Sequence, residues 1–553
     1  MDRNLFLAFA LSFAVLTGWM LLTGPPKRPA TQAPVVAEES APTATPTAPA
    51  VAPAAVTPPE ARPVPAAPVQ EAAAQTLRIE RPAFFATLTS RGAGLEGWEL
   101  RGFDSGPRAG QVPIRLIEVL AGVPPALVTP LEELGLGSLA ARNFELESND
   151  GSSIVFRYQS GGVVVRKTYS FEPDGYTFAL KVAVENGSSA AVSPRFGVTW
   201  PAHAMPGSDF KDQALAALHE GSVTRLPLAQ FGVPGFFSRN PDRSVELARE
   251  IDWAGIDLPY FLSAVIPDQP ARANARFQTA EPGRSAVVEV FFDGIEIPPA
   301  QSAERVYRVY LGPKDEHGLE ALGSGLIRAI DLGYTWVVPL TRFFHWLLQA
   351  LYSVVPNYGV AIIVLTILVR LVTAPLTNRQ MRSMERMRAL APKLEELKAK
   401  FGDDKAKQSE EMMKLYRQEG VNPLGGCLPM VLQIPVFIGL FYALRSSIEL
   451  RHSPFFGWIT DLSIPESLFT IPGLDLPVRV LPILMGLSMI VQQKLTPMQV
   501  DPAQAKMMLV VMPVMMTVMF YQFPSGLVLY WMVSNVIAIS HQLWIGRRLR
   551  TAA

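Results

Sequence analysis

Little in this chain has the makings of an enzyme. Its six histidines (His203, His219, His317, His345, His452 and His541) lie far apart, with no HExxH or comparable ligand pair among them. Metal-dependent or histidine-based catalysis therefore has no footing. The single cysteine, Cys427, can form neither an internal disulfide nor a thiolate metal cluster. No phosphate-binding glycine loop is present, so no metal, nucleotide or other cofactor is expected. The residue most out of place is Arg370, the lone charge in the apolar run 358–376. If that run is helical, about 18 Å separates Arg370 from the start of it. A guanidinium at such depth is costly unless it faces water, a partner or a cavity. The plainer alternative is a side chain that snorkels to headgroups about two turns away. The chemistry on offer is electrostatic attraction, without bond making.

Other polar residues share the apolar runs. Thr366 lies one helical turn before Arg370 on the same face. Gln433 and Asn535 sit in two further runs, and each reads equally well as a helix–helix hydrogen bond. Met508, Met512, Met515, Met516 and Met519 recur on one helical face, as do Met430, Ile434, Phe437 and Phe441. Unbranched methionine suits a surface that accepts many sequences, with a packed helix seam as the ordinary alternative.

The elements that must position these residues are written in blocks. The formal net charge is zero over 553 residues, which argues against a surface built for nucleic acid. Residues 5–23 carry no charge and are long enough to span a bilayer. An uncleaved anchor is expected, because no A-x-A site follows and Gly24-Pro25-Pro26 comes instead. Residues 24–75 hold sixteen alanines and thirteen prolines without an aromatic, and read as an extended linker. From 76 to about 325 the alternation is that of strands, with 153–158 and 163–169 flanking Gln159-Ser160-Gly161-Gly162 as a hairpin. A large β-sandwich is expected there.

Residues 326–356 are rich in aromatics and are expected to form an amphipathic helix in the membrane interface. Spans follow at about 358–376, 424–444, 478–494, 507–523 and 526–545, the second bent by Pro429 and Pro435. The last two divide forty uncharged residues at Phe523-Pro524-Ser525-Gly526. With the anchor this gives a six-span membrane region. The loop 378–419 carries eleven Lys/Arg against eight acids, and the tail ends Arg547-Arg548-Leu549-Arg550. Both are expected in the cytoplasm, with the amino terminus, and the β-domain outside. Lys27 and Arg28 fall on the wrong side of the first span under this scheme. The loop divides at Phe401-Gly402-Asp403-Asp404 into arms 378–400 and 405–419 that should pair as a helical hairpin, with Met384, Met387, Leu390, Leu394 and Leu397 along one edge.

Several of these segments together resemble the YidC/Oxa1/Alb3 family of membrane protein insertases. They are Asn422-Pro423-Leu424-Gly425-Gly426-Cys427-Leu428-Pro429, Gln433-Ile434-Pro435-Val436-Phe437, Leu365 to Arg370 with Pro375-Leu376, and Phe523 to Trp531 with Ser534-Asn535. The resemblance covers roughly 357 to the carboxyl terminus. Thr87 to Ala93 and Trp253-Ala254-Gly255-Ile256 with Tyr260-Phe261 are similar to the extra domain of the Gram-negative members, a super-β-sandwich like that of sugar mutarotases. That likeness implies the fold and not the chemistry.

The resemblance implies an inner-membrane insertase and chaperone, working alone or with the Sec translocon, and not an enzyme. It implies a hydrophilic groove at Arg370, closed on the outside, with Thr366, Gln433, Asn535, Tyr530 and Trp531. It also implies an apolar slide built from Met430, Ile434, Phe437, Phe441, Met508, Met512, Met515 and Met519. Nascent membrane proteins and lipid are the implied partners, with ribosome contact left to the cytoplasmic loops and a short basic tail. A secondary transporter would show internal repeats, which are absent here. A membrane-anchored sugar enzyme would need an acid/base pair in the β-domain.

Overall fold

The computed structural model describes residues 74–552 apart from 106–111, 119, 121, 206, 211, 235–240, 403, 420–427, 474–475 and 496–506. The expected anchor at 5–23, nearly all of the linker and the Asn422–Cys427 motif thus lie outside the described residues.

Among the described residues the alternating segments form three antiparallel sheets. One has four strands, Thr76–Glu80, Phe84–Thr89, Gly94–Asp104 and Pro113–Glu118, in chain order. A nine-stranded sheet runs in space from Ser222–Pro227 to Glu145–Asn149, with Gln301–Pro313 at its centre. The third pairs Ser244–Leu247, Ala273–Glu281, Ser285–Phe292 and Gly197–His203. The hairpin marked by Gly161-Gly162 pairs Ser153–Ser160 with Val163–Phe171 in the register Tyr158 to Val165.

Period-two alternation sends Val163, Val165, Tyr169 and Phe171 inward to one apolar core that all three sheets share. Trp98 stacks on Phe84 at 3.8 Å and its indole N–H donates to the Leu311 carbonyl at 3.0 Å, tying the first sheet to the second. The same alternation buries Lys167 completely. Its ammonium donates to the carbonyls of Gly92 (3.1 Å) and Leu127 (2.6 Å), two residues held in left-handed backbone conformations. At Gly92 a side chain is sterically barred as well, since an added Cβ would lie 2.6 Å from the Ala140 carbonyl oxygen.

Among the described residues nine α-helices follow: α1 (Glu316–Leu322), α2 (Val338–Val354), α3 (Tyr358–Ala389), α4 (Ala391–Lys400), α5 (Lys405–Gln418), α6 (Leu428–Ser446), α7 (Val480–Leu495), α8 (Met512–Phe520) and α9 (Ser525–Ala552). A π-turn, Met507–Val511, leads into α8. These depart from expectation in four places. The amphipathic helix begins only at Val338, because left-handed Gly325 and Gly333 punctuate the chain before it, and Pro339 falls in its first turn where it needs no donor. Pro429 likewise sits in the first turn of α6, which leaves Pro435 as the interior proline.

Thirdly, α3 does not stop at 376 but runs through Pro375 to Ala389, so the hairpin's first arm is split. The break falls at Leu390 because Pro392 belongs to a new first turn. Beyond it, α4 and α5 pack through Leu390 and Leu394 against Met412, Leu415 and Tyr416, and Lys393 pairs with Glu419 at 2.6 Å, which makes them antiparallel.

Fourthly, among the described residues only Tyr358–Asn378 and Ser525–Trp544 are long and apolar enough to cross a membrane. Val480–Leu495 and Leu509–Phe520 are apolar but shorter. The chain does turn back between α8 and α9, where Ser525 and Gly526 donate backbone N–H groups to Ile464 and Leu462.

Candidate functional site

A buried stripe on α3, Tyr358, Ala361, Ile362, Leu365 and Thr366, recurs at three and four residues and seats the helix in the second apolar core. Continuing that stripe by one turn brings Arg370 to the boundary between the buried face and the exposed Ile367, Leu368, Leu371 and Val372. Its guanidinium reaches α9, where Nε donates to Ser534 Oγ at 2.9 Å and Nη2 donates to the same oxygen. Among the described residues no carboxylate lies within ion-pair distance of Arg370. Ser534 itself is buried, and Tyr530, buried one turn earlier on α9, accepts a hydrogen bond from Gln433 of α6 at 3.2 Å. Three helices thus meet at a half-buried cation surrounded by neutral hydroxyl and amide groups.

The other expected site residues are placed differently. Thr366 is fully buried and its hydroxyl is taken by the Ile362 carbonyl of its own helix at 2.6 Å. Asn535 turns toward α7 and donates to Ser488 Oγ at 3.0 Å. Trp531 points away from the polar cluster into an aromatic one, 4.8 Å from Phe437 and 5.0 Å from Phe520. Phe441 and Phe523 extend that cluster. Ser534 is not among the expected site residues, although it stands beside Asn535 at the end of the 523–535 motif. Its spacing of four from Tyr530 was the available signal.

Ile434 on α6 is half exposed, and Phe437 and Phe441 are partly buried beside it. On α8, Met512, Met515 and Met516 are partly buried, while Met519 is exposed beside Val514 and Val518. Gln493 of α7 donates to the Met512 sulfur at 3.8 Å. The side chains of Met430 and Met508 lie outside the described set. The α7–α8 contact is close because residue 486 is glycine, where an added Cβ would collide with Thr517 Oγ1. No group of three or more metal-ligating side chains occurs among the described residues.

Two family models match the chain: the YidC periplasmic domain over residues 76–347 and the 60Kd inner membrane protein over 350–552. A membrane protein insertase YidC of Syntrophus aciditrophicus is 34% identical over 99% of this chain and 100% of its own. That of Geobacter metallireducens is also 34% identical, over 100% of this chain and 99% of its own. Among solved structures, an active YidC insertase with its first transmembrane domain resolved aligns with 86% of this chain and 94% of its own, at 19% identity and a TM-score of 0.36. A galactose mutarotase-like protein from Lactobacillus casei aligns with 43% of this chain and 100% of its own, at 15% identity and a TM-score of 0.32. Both superpositions are too loose to bear on mechanism.

Proposed function

The chain belongs to the YidC family of membrane protein insertases, and from that premise we propose that Arg370 is the polar foothold of a groove through which clients enter the bilayer. As a member of that family it inserts membrane proteins into the inner membrane, and it carries a periplasmic all-β domain. The observation that carries the groove reading is that, among the described residues, Arg370 pairs with a neutral hydroxyl and no carboxylate, midway along an apolar run. A cation held without a counter-charge in low dielectric attracts an acidic or polar segment more strongly than the same cation in water. Gln433 and Tyr530 add amide and phenol groups that can replace part of that segment's hydration.

In this reading a client's hydrophilic part enters from the cytoplasm toward Arg370 and then crosses. Its apolar segment leaves along Ile434, Phe437, Phe441, Met512, Met515 and Met519, with Met430 and Met508 extending those two faces by their spacing. Thr366 and Asn535 serve as ties that hold the wall, and Trp531 anchors the aromatic joint between α6, α8 and α9. Six spans complete the scheme: residues 5–23, α3, α6, α7, the π-turn with α8, and α9. Both termini and the α4–α5 hairpin are then cytoplasmic. The protein would act alone on small clients and beside the Sec translocon on larger ones, with any ribosome contact through the hairpin and short tail. It performs no covalent chemistry.

The test is reconstitution into liposomes with a newly synthesised single-span client. Protease protection of the client's translocated tail is expected without Sec components or ATP. Loss of protection across several clients, in intact and correctly oriented vesicles, would contradict autonomous insertion.

A further inference from the structure

The segment between α6 and α7 contains a short hairpin, Phe469–Ile471 paired with Leu476–Val478. Small hairpins at the edge of a water-soluble surface ordinarily expose polar side chains. Here Leu468, Phe469 and Leu476 are each about half exposed, and Phe456 of the same segment is more so. Across residues 467–478 the only charge is Asp475, which lies outside the described residues.

The hairpin is nevertheless fixed in place. The Tyr521 hydroxyl, at the end of α8, donates to the Pro477 carbonyl, and Arg479 donates to the Tyr521 carbonyl while lying 4.7 Å over its ring. Glu466 accepts from the Leu481 N–H at 2.7 Å and from the Trp458 indole at 2.8 Å, closing the first turn of α7. The apolar surface therefore sits on a braced support.

A second exposed apolar surface follows it in the chain. On α7, Ile483, Leu487 and Val491 form one exposed stripe that begins seven residues after Leu476. The sixteen residues of α7 rise only about 24 Å, against roughly 30 Å of hydrocarbon. A short span is accommodated by local thinning or by apolar groups beyond its end. We propose that the paired strands Phe469–Ile471 and Leu476–Val478 are a membrane foot, seating Leu468, Phe469 and Leu476 at the headgroup–acyl boundary of the outer leaflet and making up the missing length of α7. The proposal rests on the placement of α7 across the membrane argued above.

Nitroxide accessibility in liposomes containing this protein alone tests it. Phe469→Cys and Leu476→Cys, each made in a Cys427→Ser background, are spin-labelled, with Leu487→Cys as the span reference and Ser244→Cys as the aqueous reference. Labels at 469 and 476 are expected to have an oxygen-to-nickel-chelate collision ratio several-fold above that at 244 and approaching that at 487. A ratio at 469 and 476 equal to that at 244 would place the hairpin in water and overturn the foot. Shielding of both labels from both reagents would mean a protein contact and overturn it equally. A water-like ratio at 487 would instead remove the placement of α7, so the two failures are distinguishable.

Discussion

Among the described residues Arg370 donates to one side chain, that of Ser534, so the two residues can be separated. Ser534→Ala leaves a half-buried guanidinium without its acceptor and is expected to lower stability by about 1.5–3 kcal/mol, the range for a hydrogen bond to a charged group. Insertion should persist, because the charge remains; a detergent melt alongside the liposome assay checks both. Lys167 makes a second prediction. Burial depresses its pKa from 10.5 to about 7, although the two carbonyls that accept from it favour the charged form and oppose the shift. Its folded pKa lies below its unfolded value, so folding releases the proton, and stability rises as pH climbs from about 7 toward 10.5. Lys167→Met should abolish that rise, which a pH series of melting temperatures on wild type and variant measures. Arg370 was legible in the sequence because a charge stands out in an apolar run. Ser534 was legible only through its place one helical turn beyond Tyr530, a weak signal, since a serine in an apolar helix draws little attention until its partner is seen. The inward register of Lys167 could be read from its strand, but not its carbonyls, which come from turns 75 and 40 residues away.

At the scale of elements, α2 is pinned by His345. Its ring nitrogens lie 3.6 Å from Glu316 of α1 and 3.4 Å from Glu449 beyond α6, and Ser447 and Gln349 also hydrogen-bond Glu449. The imidazole is buried, which opposes charge, but the two carboxylates win and hold its pKa up at about 9, while Glu449 falls to about 2. A histidine whose folded pKa is raised contributes fully below about 6.5, and the contribution is lost as pH rises to about 9. His345→Ala should remove this loss, the opposite trend to Lys167, so the two single variants report separate slopes. Gly486→Ala should destabilise the α7–α8 pair by about 1–3 kcal/mol through overpacking, seen as a lower melting temperature with the β-domain unchanged in hydrogen exchange. Elements with strong period were legible: the hairpin around Gly161-Gly162 and the reversal near Pro524. Helix ends were not. The run of α3 past Pro375 and the late start of α2 depend on where prolines fall within a turn, which composition does not reveal.

On the scale of the whole molecule, the β-domain and the membrane region meet at Arg451. Its guanidinium grips Asp209 at 2.5 and 3.1 Å, both side chains being about 5% exposed, and also donates to the Asp104 carbonyl. His452 bridges Asp461 and the same carbonyl, and Ser525 at the head of α9 donates to the Asp461 backbone. Removing one member of a buried pair strands the other charge, at about 3–5 kcal/mol. Asp209→Ala in the full chain should therefore lower the melting temperature, with Arg451→Met added to it recovering part of the loss, while deleting most of 76–313 uncovers Arg451 to water and should leave insertion working. The sequence allowed the β-domain and the helical region to be told apart by period. It could not disclose this joint, whose partners stand 242 residues apart.

The central claim, that Arg370 draws polar client segments into the groove, is tested most directly by varying charge on both sides of the contact. Insertion of one client bearing an acidic or a neutral tail is timed in liposomes carrying wild type or Arg370→Ala. Wild type is expected to favour the acidic tail by on the order of tenfold, about 1.4 kcal/mol, and the variant to lose that preference while still inserting the neutral tail. An unchanged preference in Arg370→Ala would contradict the account.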